Sequence, residues 1–316
     1  VSGYFWKLFT KIKADYVFIF EVSPMTQALP GVWYAKKRKI PCYLYVQDLW
    51  PENVEIVTGI SNKTIIGSIG RMVDYIYRNC DKIFTTSRSF IASISARGIE
   101  RDKLEFWPQY AEEFYKPLNY VEVPEIDSRK FNVTFTGNVG QAQGLDILIE
   151  VAKEFINENV KFNLIGDGRY KEELIIKVKN AGVIDLFNFI PRQEPTHIPK
   201  YLAASQVVFL SLSKNKLFEM TIPAKLQSYF ACGKPVLASI SGESASIIKE
   251  ANAGYVSEPG GVEELVNNLK TMLKLTNEEL SELGRNARKY YLEHFEKNML
   301  LNDMDKHFEL KENKYV

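Results

Sequence analysis

Short apolar runs alternate with segments of helical spacing along nearly the whole chain. Residues 15–22, 41–48 and 81–87 read DYVFIFEV, PCYLYVQD and DKIFTTS, and polar or turn residues bound each run. Runs of this length, rich in β-branched and aromatic side chains, are typical of strands buried in a parallel sheet. The segments between them have helical spacing, so the sequence predicts an array of alternating strands and helices.

The alternation is interrupted between residues 112 and 130, where two prolines and several acidic residues lack any sustained period. Such a segment is typical of an interdomain linker. Six further apolar runs follow, with helical segments between them and a helix-forming tail from residue 277: KFNVTFTG, KFNLIGDG, LFNFIPRQ, VVFLSLS, PVLASIS and AGYVSEP.

The predicted fold is α/β, with two Rossmann-like, doubly wound domains that face each other across a cleft. The predicted parts are a first domain at 1–114, a linker at 115–130, a second domain at 131–290, and a C-terminal helix at 291–316 that returns to the first domain. Ligands bind such sheets at the carboxyl ends of the strands, so the residues after each strand are the candidates for a site.

Charge and composition exclude several classes of function. The formal net charge of the 316-residue chain is +1, which argues against a nucleic-acid partner. The chain has only three histidines, and its three cysteines lie far apart with none in a CxxC pair, so a metal site is not expected. Free thiols favour a reducing compartment, and no apolar run reaches the roughly 18 residues of a transmembrane helix. We therefore predict a cytoplasmic protein that needs no cofactor.

Glycines follow the first strand of the second array, in the segment GNVGQAQG at 137–144. They let a ligand approach the backbone closely, and the helix N-terminus behind them favours an anion. The spacing is not GxGxxG and no acidic residue closes the next strand, which argues against an NAD-dependent dehydrogenase. A phosphate loop and a set of tight-turn glycines both stay open.

Two further strand ends carry candidate residues. Gly166 begins GDGRY, which suits either a plain turn or a loop near a nucleotide. Arg192 follows the strand that ends at Ile190, where a planar guanidinium could hold a phosphate or stack on a base. A solvated surface arginine is the simpler alternative.

A cation stands near the start of a short helix in LFEMTIPAKLQSYFACGKPVLAS, residues 217–239. Thr221 is predicted to cap this helix and Pro223 suits its first turn, which places Lys225 at the positive end of the helix dipole. An anion is favoured there, and one explanation is that a phosphate arrives with a ligand. An idle, exposed lysine would cost only about 0.3–1 kcal/mol, so that alternative stays open.

In the first array, Asp48 follows a strand and begins the corner DLWPE. A carboxylate at this position could orient or deprotonate a hydroxyl group. The simpler alternative is that Asp48 or Glu52 caps a helix.

Two segments combine aromatic and basic side chains, FWKLFTKIK at 5–13 and WYAKKRK at 33–39. Basic residues near a helix C-terminus are the simpler interpretation. The sharper alternative is contact with an anionic membrane, at the inner face of the plasma membrane.

In combination, the motifs of the second half resemble the nucleotide-sugar domain of retaining GT-B glycosyltransferases of family four. The similar segments are FNVTFTGNVGQAQGLDILIEVAKEF, FNLIGDGRYKEEL, FIPRQEPTHIPKYLAASQVVFLSL and IPAKLQSYFACGKPVLASISGESASIIKEANAGYVSEPGG. VQDLWPEN, TTSRSF and KLEFWPQYAEEFYKP resemble the same branch, so the resemblance runs from about residue 15 to about residue 295. This branch makes bacterial surface polysaccharides and includes N-acetyl-fucosamine transferases.

The resemblance implies the GT-B architecture, a donor bound mainly by the second domain, an acceptor bound mainly by the first, and no catalytic metal. Helix N-termini, backbone N–H groups and Lys or Arg side chains must then hold the charge that grows on the leaving diphosphate. It places 137–144 near the diphosphate and sugar, Gly166 and 190–192 near the base, and 221–228 near the diphosphate, sugar and ribose. The donor-binding residues so implied are Gly137, Asn138, Gly140, Gln141, Gly144, Gly166, Arg192, Thr221 and Ser228, and the catalytic residues are Asp48, Glu219 and Lys225.

The chain departs from the family pattern at the residues that usually carry charge. Asn138 and Gln143 stand where many members have Arg and Lys. The paired glutamates of the family fall on Met220 and Ser228, and Glu219 is one residue from the first of them.

Either Lys225 and Arg192 take over the diphosphate, or the chain is a weak catalyst. We favour the first, because Asn and Gln still donate hydrogen bonds and the loop geometry persists. The resemblance also implies a first strand and a glycine-rich loop before Val1, so the first domain is predicted to be N-terminally truncated and the chain as given could be inactive.

The predicted function is transfer, with retention, of a hexose or N-acetylamino sugar from a nucleoside diphosphate sugar to a lipid-linked oligosaccharide or polysaccharide. UDP is favoured over GDP. One alternative is a nucleotide-sugar 2-epimerase of the same architecture, which is disfavoured because His197 is the only histidine near a strand end. The other is a non-catalytic nucleotide-sugar-binding partner, which the altered carboxylate positions suggest.

Overall fold

The computed structural model describes residues 2–54, 59–119 and 121–308. The chain forms two compact units, Val1–Pro108 and Gln109–Val316. Each unit is built on one parallel sheet, so the predicted organisation into two α/β domains is confirmed.

The first unit has four parallel strands in the spatial order β1-β2-β3-β4. They are β1 (Val17–Glu21), β2 (Cys42–Val46), β3 (Lys82–Thr85) and β4 (Leu104–Phe106). Its described helices include α1 (Ser2–Phe9), α2 (Ala28–Arg38), α3 (Lys63–Arg78) and α4 (Arg88–Ala96). The three strands predicted for this unit are confirmed, whereas the sequence pattern does not predict β4, which has only three residues.

The second unit has six parallel strands in the order β10-β9-β8-β5-β6-β7. They are β5 (Phe131–Thr136), β6 (Val160–Ile165), β7 (Phe187–Ile190), β8 (Val207–Ser211), β9 (Val236–Ser239) and β10 (Gly254–Ser257). The helices are α5 (Ile147–Lys153), α6 (Lys171–Asn180), α7 (Ile198–Ala203), α8 (Lys216–Glu219), α9 (Ala224–Ala231), α10 (Glu243–Glu250), α11 (Val262–Lys274), α12 (Asn277–His294) and α13 (Lys297–Asp305). The order along the chain reverses between β5 and β8, which is where doubly wound sheets bind ligands.

The main core of the second unit is apolar and well filled. Phe135, Phe162 and Phe209 project from three neighbouring strands and are fully buried, and Leu174 and Leu269 reach them from α6 and α11. Burial of this apolar area drives the packing of the helices onto the sheet.

The sheet of the second unit also carries a ladder of three asparagine side chains, of which Asn132 and Asn163 are fully buried and Asn188 is half-buried. The Asn163 amide donates to Asn132 Oδ1 at 3.0 Å, and the Asn188 amide donates to Asn163 Oδ1 at 3.1 Å. The ladder ends on backbone carbonyls, because Asn132 donates to Asp127 O at 2.9 Å and Asn188 to Glu125 O at 2.5 Å. Buried polar groups of this kind need partners, and here the partners lie on neighbouring strands and on the segment before β5.

The division between the units lies between Pro108 and Gln109. The segment predicted as a linker, 115–130, therefore belongs to the second unit, where Val123 and Ile126 pack against Ile165 and Ile190. The tail forms α12 and α13, as its composition predicts, and Thr276 and Glu279 make a reciprocal capping box at the start of α12. The return of 291–316 to the first domain stays a prediction, and residues 309–316 lie outside the described part of the chain.

The three cysteines are free and buried, and Cys42 Sγ lies 3.9 Å from Cys80 Sγ.

Candidate functional site

Two glycine-containing loops are locked together at the carboxyl ends of β5 and β6. Gly137 N donates to Ile165 O at 2.9 Å, and Val139 N donates to Asp167 O at 2.8 Å. Gly166 has φ +143°, and a Cβ atom there would lie 1.9 Å from Gly137 O. Gly166 is therefore required by a close contact between backbones, and the 137–139 loop has little freedom to move.

The far end of the same glycine segment is tied to β8. Gly144 adopts φ +61°, and a Cβ atom there would lie 3.3 Å from Ser213 N. Ser213 N donates to Ala142 O at 2.9 Å, and Ser211 Oγ donates to Gln143 O at 2.6 Å. Residues 137–144 are thus held at both ends, across the position where the strand order reverses.

Helix α9 brings a cation to this segment. The helix begins at Ala224 with Pro223 as its N-cap residue, and its buried Tyr229 hydroxyl accepts a hydrogen bond from Thr136 N at 2.9 Å. The Lys225 ammonium consequently lies 4.0 Å from the centroid of the Phe135 ring and donates to Gln143 Oε1. The predicted cap is wrong: the Thr221 hydroxyl donates back to Leu217 O at 2.8 Å, because the chain turns between α8 and α9.

The surroundings of the Lys225 ammonium disfavour its positive charge. Its side chain is half-buried, and no carboxylate of the described residues lies within ion-pair distance of its ammonium. Withdrawal of the ammonium from water lowers the pKa of Lys225 to about 7. An anionic ligand would restore the charged form.

A cavity of about 640 Å³ opens beside Lys225 at the strand ends. It brings together six of the predicted site residues: Gly137, Asn138, Gly166, Arg192, Lys225 and Ser228. Its size is that of a small-molecule site, and its walls combine glycine backbone, two cations and apolar side chains such as Ile165 and Ile198.

The other predicted residues lie around this cavity or apart from it. Gly140 and Gln141 line a second cavity of about 430 Å³ that shares Asn138 and contains Arg169. Gly144 lines a third cavity near Ser213. Glu219 and Thr221 do not line the main cavity. Both pack against the start of α10: Ser244 Oγ donates to Thr221 O at 2.9 Å, and the Gly242 backbone lies in close contact with Glu219 O.

Tyr115 also lines the main cavity, and sequence reasoning misses it. It lies in the segment predicted as a linker, and its hydroxyl group lies near Ser228. Burial raises the pKa of the Tyr115 phenol, and Cys232 adds to that effect. The one available signal is aromatic composition: Phe114 and Tyr115 stand side by side in an otherwise polar segment.

Asp48 lies in the first unit, at the carboxyl end of β2. Its Oδ2 accepts hydrogen bonds from Ser23 N at 3.1 Å and from Ser23 Oγ at 2.6 Å. The same hydroxyl oxygen accepts from Trp50 Nε1 at 3.1 Å and from Asn53 Nδ2 at 3.2 Å. Asp48 thus links the ends of β1 and β2 and keeps part of its surface exposed.

A second carboxyl group, Glu21, lies fully buried beside Asp48 at the end of β1. Neither of its oxygens makes a hydrogen bond of ordinary geometry with another described residue, although the backbone amides of Asp48 and Gln47 lie close enough to affect its pKa. Burial, reinforced by the charge of Asp48, raises the pKa of Glu21 to about 8. Glu21 is therefore protonated at neutral pH, and one carboxyl of the pair stays neutral while the other faces solvent.

The substitution Glu21→Gln is expected to flatten the pH dependence of stability. In the folded protein the pKa of Glu21 is about 8, well above the pKa of a glutamate in the unfolded chain. Its contribution to the free energy of unfolding is therefore fully present below about pH 4.5 and is lost as pH rises toward 8. The neutral glutamine escapes this loss, and its advantage over the parent should grow to a few kcal/mol by pH 8. Urea unfolding from pH 5 to 8.5 checks this, with the exposed Glu282→Gln as control; parallel profiles for all three proteins would contradict it.

Among the described residues, no group of three or more His, Cys, Asp or Glu side chains is arranged to hold a metal ion. No described helix is both long enough and apolar enough to span a membrane.

Comparison with known proteins decides the family. The family model described as "Glycosyl transferases group 1" matches residues 119–290, more than half of the chain. The chain belongs to this glycosyltransferase family. The match covers the six strands of the second unit and every residue that lines the main cavity of this group 1 chain except Tyr115.

Two curated relatives extend the likeness into the first unit. The chain is 27% identical over 257 residues to the "Probable glycosyltransferase WbjE" of Pseudomonas aeruginosa, covering 76% of this chain and 61% of the relative. It is 24% identical over 274 residues to the "Putative colanic acid biosynthesis glycosyl transferase WcaI" of Escherichia coli, covering 81% of this chain and 66% of the relative. The group 1 chain thus spans less than two-thirds of the length of either relative.

Solved structures show the same fold at low identity. A crystal structure of Anabaena HepE with UDP-glucose has a TM-score of 0.74 at 16% identity and covers 93% of this chain and 78% of its own. Sucrose-phosphate synthase from Thermosynechococcus elongatus has a TM-score of 0.73 at 15% identity, with 96% and 75% covered. The predicted GT-B class of this group 1 chain is confirmed.

Proposed function

We propose that the chain transfers a sugar from a nucleoside diphosphate sugar, with UDP as the nucleotide, and that the anomeric configuration is retained. The transferred group is a hexose or an N-acetylamino sugar, and the acceptor is a lipid-linked oligosaccharide or polysaccharide. Membership of the glycosyl transferases group 1 family supports this assignment. The polysaccharide acceptor is supported by the likeness to WcaI, which is named for colanic acid biosynthesis.

The observation that carries the proposal is the lone lysine in the main cavity. Within the part of the chain that the structure describes, no carboxylate lies within ion-pair distance of Lys225. Its side chain is half-buried, and its ammonium lies 3.7 Å from the Cβ position of Gly137. We assign the diphosphate to the space between Lys225 and the 137–138 backbone. The likeness to HepE, which was crystallised with UDP-glucose, supports a uridine ligand.

The remaining lining residues suit the rest of such a donor. Ile165, Gly166 and Arg192 form one end of the cavity, which we assign to the base, since a guanidinium can stack on a planar ring. Ser228 and Tyr115 form a hydroxyl-bearing wall that suits the ribose. Asn138, shared with the neighbouring cavity, would contact the sugar side of the diphosphate.

In the proposed reaction the bond between the anomeric carbon and the diphosphate oxygen breaks. The acceptor hydroxyl forms the new bond on the same face of the sugar, and the departing phosphate oxygen takes the hydroxyl proton. Lys225 holds the negative charge that develops on the leaving group, which is the step where a positioned cation lowers the barrier. Asp48 and Glu219 are assigned to orienting hydroxyl groups.

Calorimetric titration with UDP tests the site, and the affinity is expected to fall as pH rises above 7. Lys225 has a pKa of about 7 in the free protein, and a bound diphosphate stabilises its protonated form. Binding therefore takes up a proton above pH 7, and the affinity should drop by up to about tenfold per pH unit until the pKa of the complex is reached.

A Lys225→Met variant is the control for this titration, because its affinity should be weaker and nearly constant above pH 7. The phosphate of UDP loses its own last proton near pH 6, below the window of interest. Failure of UDP to bind at any pH would reject the proposed function. Saturable binding without transfer or hydrolysis of UDP-sugars by the full-length protein would favour the non-catalytic alternative.

We also propose that the protein meets its acceptor at the inner face of the plasma membrane as a peripheral protein. Two segments of the first unit that combine aromatic and basic residues, 5–13 and 33–39, support this proposal.

A further inference from the structure

Lys171, the first residue of α6, contacts the backbone at the ends of two neighbouring strands. Its ammonium donates to Gly166 O at 2.7 Å and lies 3.5 Å from Ile190 O, a longer and weaker contact. Gly166 follows β6 and Ile190 ends β7, and these strands pair in parallel. One side chain therefore bridges the two strand ends, in addition to the backbone bond from Gly166 N to Ile190 O at 3.1 Å.

The location of this lysine is unfavourable for the helix that it begins. A cation in the first turn lies at the positive end of the helix dipole, where an anion is preferred. The Lys171 side chain is half-buried, and it forms no ion pair with any residue that the structure describes. The carbonyl oxygens of the strand ends are thus its main polar contacts, and a charged donor makes a stronger hydrogen bond to a carbonyl than a neutral donor does.

Both contacts of Lys171 lie at the wall of the main cavity. Gly166 lines the cavity, and Ile190 is two residues before Arg192, which also lines it. Lys171 itself is not a lining residue. Any effect of Lys171 on a ligand must therefore pass through the backbone of Gly166 and of residues 190–192.

We propose that Lys171 is a positioning residue that sets the shape of the base end of the main cavity and thereby the selectivity for the base. This inference rests on the proposed function, because it takes the ligand to be a nucleoside diphosphate whose base lies beside Gly166 and Arg192. The hydrogen bond to Gly166 O holds one side of that end, and the contact with Ile190 O holds the segment that leads to Arg192. Without the bridge the two strand ends can move apart, and a cavity of less defined shape discriminates less between bases.

The diphosphate end of the cavity is independent of this bridge. It is assigned to Lys225 and to the backbone of residues 137–138, none of which Lys171 contacts through its ammonium. Removal of Lys171 should consequently weaken the recognition of the base and leave the recognition of the diphosphate unchanged. A lysine that only stabilised the fold would instead affect all nucleotides alike.

Calorimetric titration of the full-length protein with UDP and with ADP tests the inference. The parent should bind UDP more tightly than ADP. Lys171→Met should lower the affinity for UDP by about tenfold, the lower end of what a hydrogen bond with a charged donor contributes, and should lower the affinity for ADP much less. The fall of UDP affinity above pH 7 should stay parallel to that of the parent, because Lys225 is unchanged.

Three further variants control for charge, position and folding. Lys171→Arg keeps the charge and several N–H donors, so it should retain most of the preference for UDP. The matched control is Lys179→Met, which removes an exposed lysine of the same helix and should bind both nucleotides as the parent does. If circular dichroism shows that Lys171→Met is unfolded at the titration temperature, Lys171→Gln, a neutral side chain too short to reach both carbonyls, takes its place with the same expected loss of selectivity.

An unchanged ratio of UDP to ADP affinity in the Lys171 variants that lack the charge would overturn the inference. So would a parent that binds UDP and ADP equally, or a UDP titration of Lys171→Met that no longer depends on pH. These results differ from a failure of the proposed function, since in each of them the parent binds UDP. A parent that binds no UDP rejects the proposed function and this inference with it.

Discussion

In the full-length enzyme, replacing Lys225 by methionine is expected to slow sugar transfer by roughly 10²–10³-fold, the usual cost of removing one positioned electrostatic group. The ammonium is the cation of the main cavity nearest to Gln143 and Gly137, and the glycine segment itself contains no cation. Methionine keeps the length of the side chain and its contact with the Phe135 ring, so the change removes charge rather than volume. Release of UDP from UDP-glucose in the presence of acceptor measures the rate.

Stability separates this effect from simple misfolding. In the folded protein the pKa of Lys225 is about 7, lower than in the unfolded chain. Lys225 therefore lowers the free energy of unfolding at pH 7 and below, and this unfavourable contribution disappears only at high pH. Lys225→Met should therefore unfold no earlier than the parent at pH 7. The exposed Lys179→Met is the matched control and should keep full activity. A Lys225→Met enzyme with parental turnover would exclude the lysine from charge stabilisation.

The substitution Gly166→Ala is expected to lower the free energy of unfolding of the second unit by roughly 3–4 kcal/mol, near the upper end for a single change. The new Cβ atom would lie 1.9 Å from Gly137 O, and the backbone at φ +143° disfavours any side chain. The 137–139 loop must then move away from β6, which breaks the hydrogen bonds from Gly137 N and Val139 N.

Gly182→Ala is the matched control for Gly166→Ala. Gly182 also has a positive φ, +71°, but nothing lies within 4 Å of its Cβ position. It should lose only about 1–2 kcal/mol from backbone strain. Urea unfolding compares the two variants, and calorimetry with UDP at a temperature where both are folded should show lost binding for Gly166→Ala alone. Equal losses of stability would mean that the contact between the two loops is not what holds the site.

The periodicity of the sequence predicts most of the fold. The strands of the second unit are short runs rich in apolar residues and bounded by Gly, Pro or polar residues, so their positions follow from the pattern. β4 escapes prediction because three residues carry no period. The segment 115–130 looks like a linker by composition, and only the partners of Val123 and Ile126 in the sheet show that it packs on the second unit.

Sequence alone identifies a site residue when that residue is unfavourable for the secondary structure in which it lies. Lys225 conflicts with the dipole of its own helix, and that conflict identifies it before any contact is known. Tyr115 and Glu21 give no such signal, since their surroundings depend on residues far away in the sequence. Ser228 on α9 lies near Tyr115, and Asp48 after β2 lies near Glu21. Thr221 shows the converse, because a good capping residue in the sequence turns instead to Leu217 O.

The asparagine ladder has a consequence for the alignment of the loops that line the main cavity. Asn132, Asn163 and Asn188 lie on the three strands that lead to Gly137, Gly166 and Arg192. Apolar neighbours alone would tolerate a strand displaced by two residues, because the same kinds of side chain would still be buried. A displaced asparagine would instead leave amide groups stranded in the interior, so misaligned versions of this sheet are penalised during assembly. The ladder thus favours a single alignment of these three strands. That alignment sets the relative positions of Gly137, Gly166 and Arg192 at the strand ends.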